Sequence, residues 1–365
     1  MHESESKMNT SQDEKQKIVL RHLKKVINPQ SIHGIYPYRG KMSALDASAV
    51  ISQLPVGSTL LDPFCGTGTI VYEAQIHGIS AIGVDNNPLA CTVASGKTLP
   101  IDASATISHL KKAIQKAQNI PSVPRMPDAP ARYFHVNTAD HIMRILSVSG
   151  EFSAYLLSCF YGSICLAARA CNHWLWTSTS TGKITSPLRD VDFYSMLLRK
   201  AGKHIQYVRG TPPAHIYIHD TRYIDELIPP NSIDVVYTSP PYFDALDYTG
   251  YYTKLVMEIL GIDRAEVREG LIQRYSTYRQ EMKKALDALD VVLHDESLVI
   301  FVVGDRMVHG KLIRGSDFFK EIAPWNGSYV VEREYTQTAS GIWDKINTTN
   351  RKEQVIVWDL SQRGS

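Results

Sequence analysis

The fold is decided by the stretch Leu60-Leu61-Asp62-Pro63-Phe64-Cys65-Gly66-Thr67-Gly68-Thr69. The apolar run at 56–61 predicts a buried strand, and the pattern at 69–77 predicts a helix. Two glycines in the turn between a strand and a helix let the backbone approach a ligand closely, and the helix N-terminus offers free N–H donors. The stretch therefore indicates a ligand site at the end of the first strand, with a plain tight turn as the alternative.

A second strand at 81–84 ends in Gly83-Val84-Asp85-Asn86-Asn87-Pro88, and a second helix follows at 89–97. Strands that alternate with helices at this spacing predict a parallel, doubly wound sheet. An acidic side chain at the tip of the second strand, roughly 20 residues after the glycine turn, is where ribose hydroxyls would be held. The third glycine of a dinucleotide fingerprint is missing and no P-loop sequence is present, which argues against NAD and against a P-loop nucleotide site.

The remaining pattern divides the chain into an α/β part and a helical part. Further strands are predicted at 215–218, 233–237 and 298–303, a helix at 281–293, and a closing antiparallel pair at 329–331 and 355–358. Between the two groups of strands, helical patterns at 108–118, 139–170 and 190–202 flank a proline-rich connector at 121–130 and a loop at 173–189. We therefore predict a disordered tail at 1–17, a catalytic domain formed by 18–100 and 215–365, and a largely helical insertion at 101–214.

Composition limits the classes of protein that fit. The 365 residues are 44% hydrophobic and 21% charged, and 39 basic against 37 acidic side chains leave a net charge of +2, so nucleic-acid binding would need a local patch. The five cysteines show no paired C-x-x-C spacing, which excludes a disulfide scaffold or zinc ribbon, indicates a reducing compartment and leaves no predicted metal site. The apolar run at 152–168 is shorter than the ~20 residues of a membrane span, and 1–17 resembles no signal peptide. We expect a cytoplasmic protein without a membrane partner.

A second informative segment is Asp234-Val235-Val236-Tyr237-Thr238-Ser239-Pro240-Pro241-Tyr242. It follows another predicted parallel strand, and two consecutive prolines stiffen the turn beyond that strand. A stiff turn holds a hydroxyl and a carbonyl in place at the same sheet edge as the glycine turn. We therefore expect the two segments to form one site.

Together these segments resemble motifs I, II and IV of the S-adenosyl-L-methionine-dependent amino-methyltransferases. The Thr-Ser-Pro-Pro-Tyr form of motif IV is typical of DNA cytosine-N4 methyltransferases. The resemblance implies a Rossmann-like methyltransferase fold, with a mostly parallel seven-stranded sheet, an antiparallel closing strand and here a largely helical insertion. It also implies S-adenosylmethionine as the cofactor, double-stranded DNA as the substrate, and a restriction endonuclease as a possible partner in restriction-modification.

The resemblance assigns roles to individual residues. Ser239 and the carbonyl of Pro240 would accept hydrogen bonds from the target amine, Pro241 would stiffen the turn, and Tyr242 would stack on an extruded base. The segment 32–42 looks like motif X, which closes over the methionine end of the cofactor. The cofactor-binding positions implied are Tyr38, Lys41, Asp62, Pro63, Phe64, Cys65, Gly66, Gly68, Thr69, Asp85, Asn86, Asp220 and Thr238.

We predict that the region between motifs I and IV recognises the target sequence. Aromatic and basic side chains suit stacking and phosphate contact, and those we single out are Trp174, Trp176, Lys183, Arg189 and, beyond motif IV, Tyr248. A DNA adenine-N6 methyltransferase of the same architecture, an RNA guanine-N2 methyltransferase and a cofactor-binding regulator remain alternatives. Cytosine-C5 methylation is excluded because it needs a Pro-Cys pair, and no cysteine here follows a proline.

Overall fold

The computed structural model describes residues 32–38, 42–174, 184–241, 247–308, 310–335 and 351–362. Its strands are β1 (Thr59–Asp62), β2 (Ser80–Asp85), β3 (Ala214–Ile218), β4 (Ile233–Thr238), β5 (Leu293–Gly304), β6 (Arg306–Val308), β7 (Lys311–Ile313), β8 (Ser328–Tyr335) and β9 (Arg351–Asp359). Its helices are α1 (Ala44–Ile51), α2 (Thr69–Ile76), α3 (Pro88–Thr98), α4 (Ala103–Gln118), α5 (Asp128–Ala131), α6 (Val136–Val148), α7 (Ala154–Cys171), α8 (Phe193–His204), α9 (Tyr251–Leu260), α10 (Arg264–Gly270), α11 (Tyr278–Val292) and α12 (Gly315–Ile322).

Within the described residues, seven strands form one sheet in the order β3-β2-β1-β4-β5-β9-β8. The first five are parallel, whereas β9 runs antiparallel to both of its neighbours. This is the predicted Rossmann-like methyltransferase fold, including its antiparallel closing strand. The chain order reverses between β1 and β4, and ligands of open α/β sheets bind at the carboxyl ends of the strands at such a point.

The central strands form because they are apolar on both faces. Leu60 and Leu61 of β1 are fully buried, as are Val236 of β4 and Ile300 of β5, and this continuous apolar character is typical of parallel strands covered by helices on both sides. The first strand begins later than the predicted residue 56. Val56 is 88% exposed because a turn at Gly57, with φ of +89°, separates α1 from β1.

The helical segment between β2 and β3 packs onto the sheet domain. Its helices share a hydrophobic core with Leu89 of α3 and Leu255 of α9. The helix predicted at 139–170 is two helices, because a 3-10 turn at Ser149–Glu151 interrupts it and Ser153 caps α7. Helix α7 is long and apolar enough to cross a membrane by composition, but 78% of it is buried inside the fold, as in the core helix of a soluble protein.

Helix α7 also contacts the segment at 32–38 through its backbone. A Cβ added at Gly162 would lie 1.8 Å from the carbonyl oxygen of Ile35, so we expect Gly162→Ala to displace this segment and lower the free energy of unfolding by about 1–3 kcal/mol. The control is Gly202→Ala in the exposed face of α8, where a Cβ meets nothing within 4 Å. That change should stabilise the protein by roughly 0.5–1 kcal/mol. Denaturant unfolding measures the change in the free energy of unfolding in each variant. Equal changes in the two variants would contradict the packing argument.

Candidate functional site

A pocket opens at the carboxyl ends of the parallel strands, where the chain order reverses. The loops after β1, β2, β3 and β4 form its floor, and segments before α1 and after α10 form its walls. It is lined by Tyr38, Met42, Asp62, Phe64, Cys65, Gly66, Thr67, Thr69, Ile70, Asp85, Asn86, Asp220, Thr221, Ser239, Pro241, Tyr248, Leu271 and Ile272.

The two glycines of the first loop have different tasks. Both have positive φ, +49° at Gly66 and +69° at Gly68, in the region that favours glycine. A Cβ at Gly66 would lie 3.3 Å from the ring of Tyr38, so this glycine lets the aromatic ring close over the turn. A Cβ at Gly68 would lie 2.8 Å from the Cβ of Ala94, so Gly68 allows α2 to begin against α3 and does not line the pocket.

Asp85 connects the tip of β2 to the glycine turn. One carboxylate oxygen accepts a hydrogen bond from the Gly66 N–H and the other accepts one from the Asn87 N–H, both at 2.8 Å. Burial raises the pKa of Asp85, while these two backbone donors oppose the rise. Because each carboxylate oxygen can accept a further hydrogen bond, Asp85 can still bind two hydroxyls of a ligand.

Asp62 connects the first loop to the strand that carries the second motif. Its carboxylate accepts a hydrogen bond from the Thr238 hydroxyl at 2.7 Å and one from the Phe64 N–H at 3.3 Å. Burial raises the pKa of Asp62 to about 7, and the neighbouring charge of Asp85 adds to the rise. Thr238 itself is fully buried, so it holds Asp62 in place from below the pocket.

A wall of the pocket comes from a segment far away in the sequence. The carbonyl of Gly270 accepts hydrogen bonds from Asn86 Nδ2 at 2.7 Å and from the guanidinium of Arg222 at 3.2 Å. Arg222 also forms an ion pair with Asp220. These contacts place the next two residues, Leu271 and Ile272, beside the acidic side chains.

The second motif forms another part of the pocket. Ser239 and Pro241 line the pocket, whereas Pro240 is buried outside the lining. The hydroxyl of Tyr278, a fully buried residue of α11, donates to the Pro241 carbonyl at 2.5 Å and so anchors the turn. Tyr242 lies outside the described residues.

Tyr248 lines the pocket, and the residues on either side of it are held by side-chain contacts. Asp247 forms an ion pair with Arg264 of α10 and accepts hydrogen bonds from the N–H and hydroxyl of Thr249. The half-buried Tyr38 lines the pocket as well. Desolvation raises the pKa of Tyr38 well above its ordinary value, and the charges of Asp85 and Tyr248 add to the rise.

The pocket brings together many of the residues predicted from the sequence. The predicted positions in its lining are Tyr38, Asp62, Phe64, Cys65, Gly66, Thr69, Asp85, Asn86, Asp220, Ser239, Pro241 and Tyr248. Pro63 does not line it, but its carbonyl accepts a hydrogen bond from the Thr221 hydroxyl. The lining residues that sequence reasoning missed are Met42, Thr67, Ile70, Thr221, Leu271 and Ile272.

Of the residues predicted for target recognition, Tyr248 is in this lining, whereas Trp174 and Arg189 are not. Trp174 is half exposed and lies under the guanidinium of Arg169, 5.5 Å from the ring centre, while Arg189 donates to the ring of His173. The remaining predicted positions outside the described residues are Lys41, Trp176 and Lys183.

The charge and shape of the pocket select among ligands. Of its described lining residues three are aspartates and none is lysine or arginine, and the one arginine described beside it, Arg222, is paired with Asp220, so the lining offers hydrogen-bond acceptors and disfavours the phosphates of NAD or ATP. The Thr67 hydroxyl is buried and has no hydrogen-bond partner among the described residues, which leaves it available to a ligand. Apolar side chains on the 271–272 wall suit a flat heterocycle. S-adenosylmethionine, a ribonucleoside with a sulfonium and an amino acid end, fits this set.

Comparisons with known proteins found methyltransferases. The family model described as "UPF0020: RMKL-like, methyltransferase domain" matches residues 43–142. The chain is 36% identical over 84 residues to the Type II methyltransferase M.MjaII of Methanocaldococcus jannaschii, which is 23% of this chain and 15% of that protein. It is 40% identical over 60 residues to the Type II methyltransferase M.MvaI of Kocuria varians, which is 16% of this chain and 13% of that protein. The matched segments thus span only about a seventh of these curated relatives.

Two solved structures were also matched. The rRNA methyltransferase aviRa from Streptomyces viridochromogenes is 13% identical, with 91% of this chain and 92% of that chain covered at a TM-score of 0.35. A S-adenosylmethionine-dependent methyltransferase from Agrobacterium tumefaciens is 10% identical, with 87% and 61% covered at the same TM-score. The fold assignment rests instead on the strand order.

The strand order gives the chain the fold of an S-adenosylmethionine-dependent methyltransferase, and residues 43–142 match a methyltransferase domain. Its cofactor is S-adenosylmethionine. Within that class, the relatives found by sequence are Type II methyltransferases.

The raised pKa of Asp62 predicts a pH-dependent cofactor affinity. Because that pKa is about 7 and the cofactor is cationic, the ionised carboxylate binds it better, and we expect an affinity about tenfold higher at pH 8 than at pH 6. Calorimetry on the cofactor-free protein measures this affinity, and Asp62→Asn should remove its dependence on pH.

The contribution of Asp62 to folding stability has the opposite dependence on pH. The folded protein holds a proton that the unfolded chain loses above pH 3.8, so stability falls between pH 3.8 and about 7. An affinity independent of pH would contradict the assignment.

Proposed function

We propose that this protein is a DNA methyltransferase that transfers the methyl group of S-adenosylmethionine to the exocyclic N4 amine of a flipped-out cytosine in duplex DNA. The observation that carries the proposal is the position of Ser239 and Pro241 in the same pocket as the acidic cofactor residues. The Thr-Ser-Pro-Pro-Tyr motif and the Type II methyltransferase relatives support the choice of DNA and of cytosine.

In this proposal the Ser239 hydroxyl in the pocket lining and the carbonyl of Pro240, the residue after it, act on the target amine. An exocyclic amine is a weak nucleophile because its lone pair is delocalised into the ring. The Ser239 hydroxyl and the Pro240 carbonyl each accept a hydrogen bond from the amine, which localises the lone pair on nitrogen and orients it. The anchor from Tyr278 to Pro241 holds this turn, so alignment is the main contribution of the protein.

The bound cofactor supplies an electrophilic methyl group. Asp85 would hold the ribose hydroxyls, Asp220 would lie near the adenine, and the 271–272 wall would cover the heterocycle. Tyr242 would stack on the extruded base. No cysteine nucleophile is needed for direct transfer to nitrogen.

Target recognition is proposed for the helical insertion at 101–214, with Trp174, Trp176, Lys183, Arg189 and Tyr248 as DNA contacts. A basic and aromatic surface suits stacking and phosphate contact. We also propose that the protein acts in the cytoplasm, together with a restriction endonuclease as its partner in restriction-modification.

The test is methyl transfer from labelled S-adenosylmethionine to unmethylated duplex DNA, followed by mass spectrometry of the nucleosides. N4-methylcytosine would support the proposal and would allow the methylated site to be mapped by sequencing. N6-methyladenine would retain the fold and the mechanism but overturn the inference from Ser239. Transfer to RNA with none to DNA would overturn the choice of substrate and favour guanine-N2 methylation.

A further inference from the structure

We propose that the hairpin formed by β6 and β7 inserts into the duplex beside the extruded base and supports the stack that the base has left. This inference rests on the proposed function, because it needs a duplex at the site. Nothing in the sequence pattern marked the hairpin, which forms a two-stranded sheet separate from the main one.

The two faces of the hairpin differ in character. Met307 and Leu312 are paired across the strands and therefore lie on the same face, where they are 61% and 54% exposed. Ile313, paired with Arg306, lies on the other face and packs against the core next to the sheet. The hairpin is thus held against the domain on one side and presents two large apolar side chains to solvent on the other.

The hairpin lies on the catalytic edge of the sheet. In the register of β4 and β5, Thr238 pairs with Phe301, and β5 continues to Gly304 past the end of the strand that precedes Ser239. The first hairpin residue, Arg306, is five residues beyond Phe301, which is about 16 Å of extended chain. Because the major groove is ~12 Å wide, a duplex with its target base at Ser239 extends as far as the hairpin.

The charge of the hairpin matches this partner. Residues 306–314 contain three basic side chains and no acidic one. Lys311 is exposed beside Leu312, and Arg314 at the end of the hairpin is exposed and forms an ion pair with Glu332 at the surface. Apolar side chains surrounded by basic ones suit a surface that contacts phosphates while it enters the base stack.

The energetics of base extrusion give the apolar pair a task. Extruding a base leaves an orphaned partner and an unstacked step, which cost a few kcal/mol, and apolar side chains that enter a duplex are used by proteins to fill such steps. Two exposed apolar side chains on a two-stranded ribbon have the size and shape that a groove admits. A mismatched target base costs less to extrude, so it depends less on this support.

The test is the double change Met307→Ser and Leu312→Ser, which removes the apolar surface without adding a charge that would repel DNA. On a matched duplex carrying the site mapped by the methylation assay, we expect kcat/KM to fall at least tenfold. On the same duplex with the target base mismatched, we expect most of this loss to be restored. The fluorescence of a cytosine analogue that pairs with guanine, such as pyrrolocytosine, at the target position should fall in parallel on the matched duplex.

The matched control is Val56→Ser, which removes an exposed apolar side chain at the opposite edge of the sheet and should change nothing. Lys311→Gln should weaken DNA binding and lower the slope of log affinity against log salt by about 1. Cofactor affinity, measured by calorimetry, should be the same in all of these variants.

Several outcomes would overturn the inference. Unchanged methylation of the matched duplex by the double variant would do so, and so would an equal loss on matched and mismatched duplexes, since that indicates contact without support of the stack. A changed oligomeric state with unchanged DNA kinetics would instead assign the apolar pair to a protein interface. If the unaltered protein methylates no DNA at all, the proposed function fails first, which is a distinct result.

Discussion

Methyl transfer is expected to fall by about 10²–10³-fold in the Ser239→Ala variant, because a hydrogen-bond acceptor that acts on the reacting amine is worth that much in the transition state. Ser239 is proposed to act on the target amine, so cofactor affinity should change little although Ser239 lines the same pocket. Single-turnover rates on DNA and calorimetry with S-adenosylmethionine measure the two quantities separately. A loss in kcat with little change in cofactor affinity is the signature of a group that acts on the amine.

Two further variants sharpen this experiment. Ser232→Ala removes an exposed serine just before β4, whose hydroxyl donates to the nearby Pro229 carbonyl, and should leave the rate unchanged. Ser239→Asn keeps an oxygen that can accept from the amine, so it should retain more activity than Ser239→Ala. Full activity in Ser239→Ala would remove the residue from the mechanism.

Local signals explain how much of the site could be predicted from the sequence. The strand–turn–helix pattern around Gly66, and the acidic tip of β2 at Asp85, depend only on residues close together in the chain. The parallel sheet then brings the carboxyl ends of its strands to one edge, so the positions of Asp220 and Ser239 follow from the order of the strands. The predicted ends of the strands were less accurate. The first strand was predicted to begin at Val56, but Val56 belongs to the turn between α1 and β1.

The walls of the pocket could not be predicted in the same way. Leu271 is about 200 positions after Gly66 in the chain and belongs to no recognisable pattern. It reaches the pocket because the preceding carbonyl of Gly270 is held by Asn86 and Arg222, a contact that depends on three distant segments. The sequence shows each of these polar residues but not which backbone carbonyl they share.

Some predicted residues have a structural task in place of direct contact. Thr238 was predicted to contact the cofactor, but it is buried and donates to Asp62, so it positions a carboxylate that does line the pocket. A motif marks such a position as important whether or not it touches the ligand. Only the burial and the hydrogen bonds distinguish the two roles.

Asp85→Ala is expected to weaken cofactor binding by about 10–100-fold, because it removes a charged acceptor of hydrogen bonds, each worth about 1.5–3 kcal/mol. The loss has two sources. The ribose hydroxyls lose their acceptor, and the N–H groups of Gly66 and Asn87 lose the carboxylate that holds the turn. Titration of the cofactor-free variant by calorimetry measures the dissociation constant, and Asp225→Ala, an exposed aspartate after β3, is the matched control.

Asp85→Asn keeps the size of the side chain but removes its charge and its ability to accept hydrogen bonds at both terminal atoms. In the native protein both carboxylate oxygens accept backbone N–H groups, so an amide must turn its NH₂ toward one of those donors. We therefore expect the asparagine variant to bind the cofactor nearly as weakly as the alanine variant. Both variants also deprive backbone N–H groups of their acceptor, so we expect each to lower the stability of the cofactor-free protein by about 1–3 kcal/mol. Native affinity in Asp85→Asn would place the ribose elsewhere in the pocket.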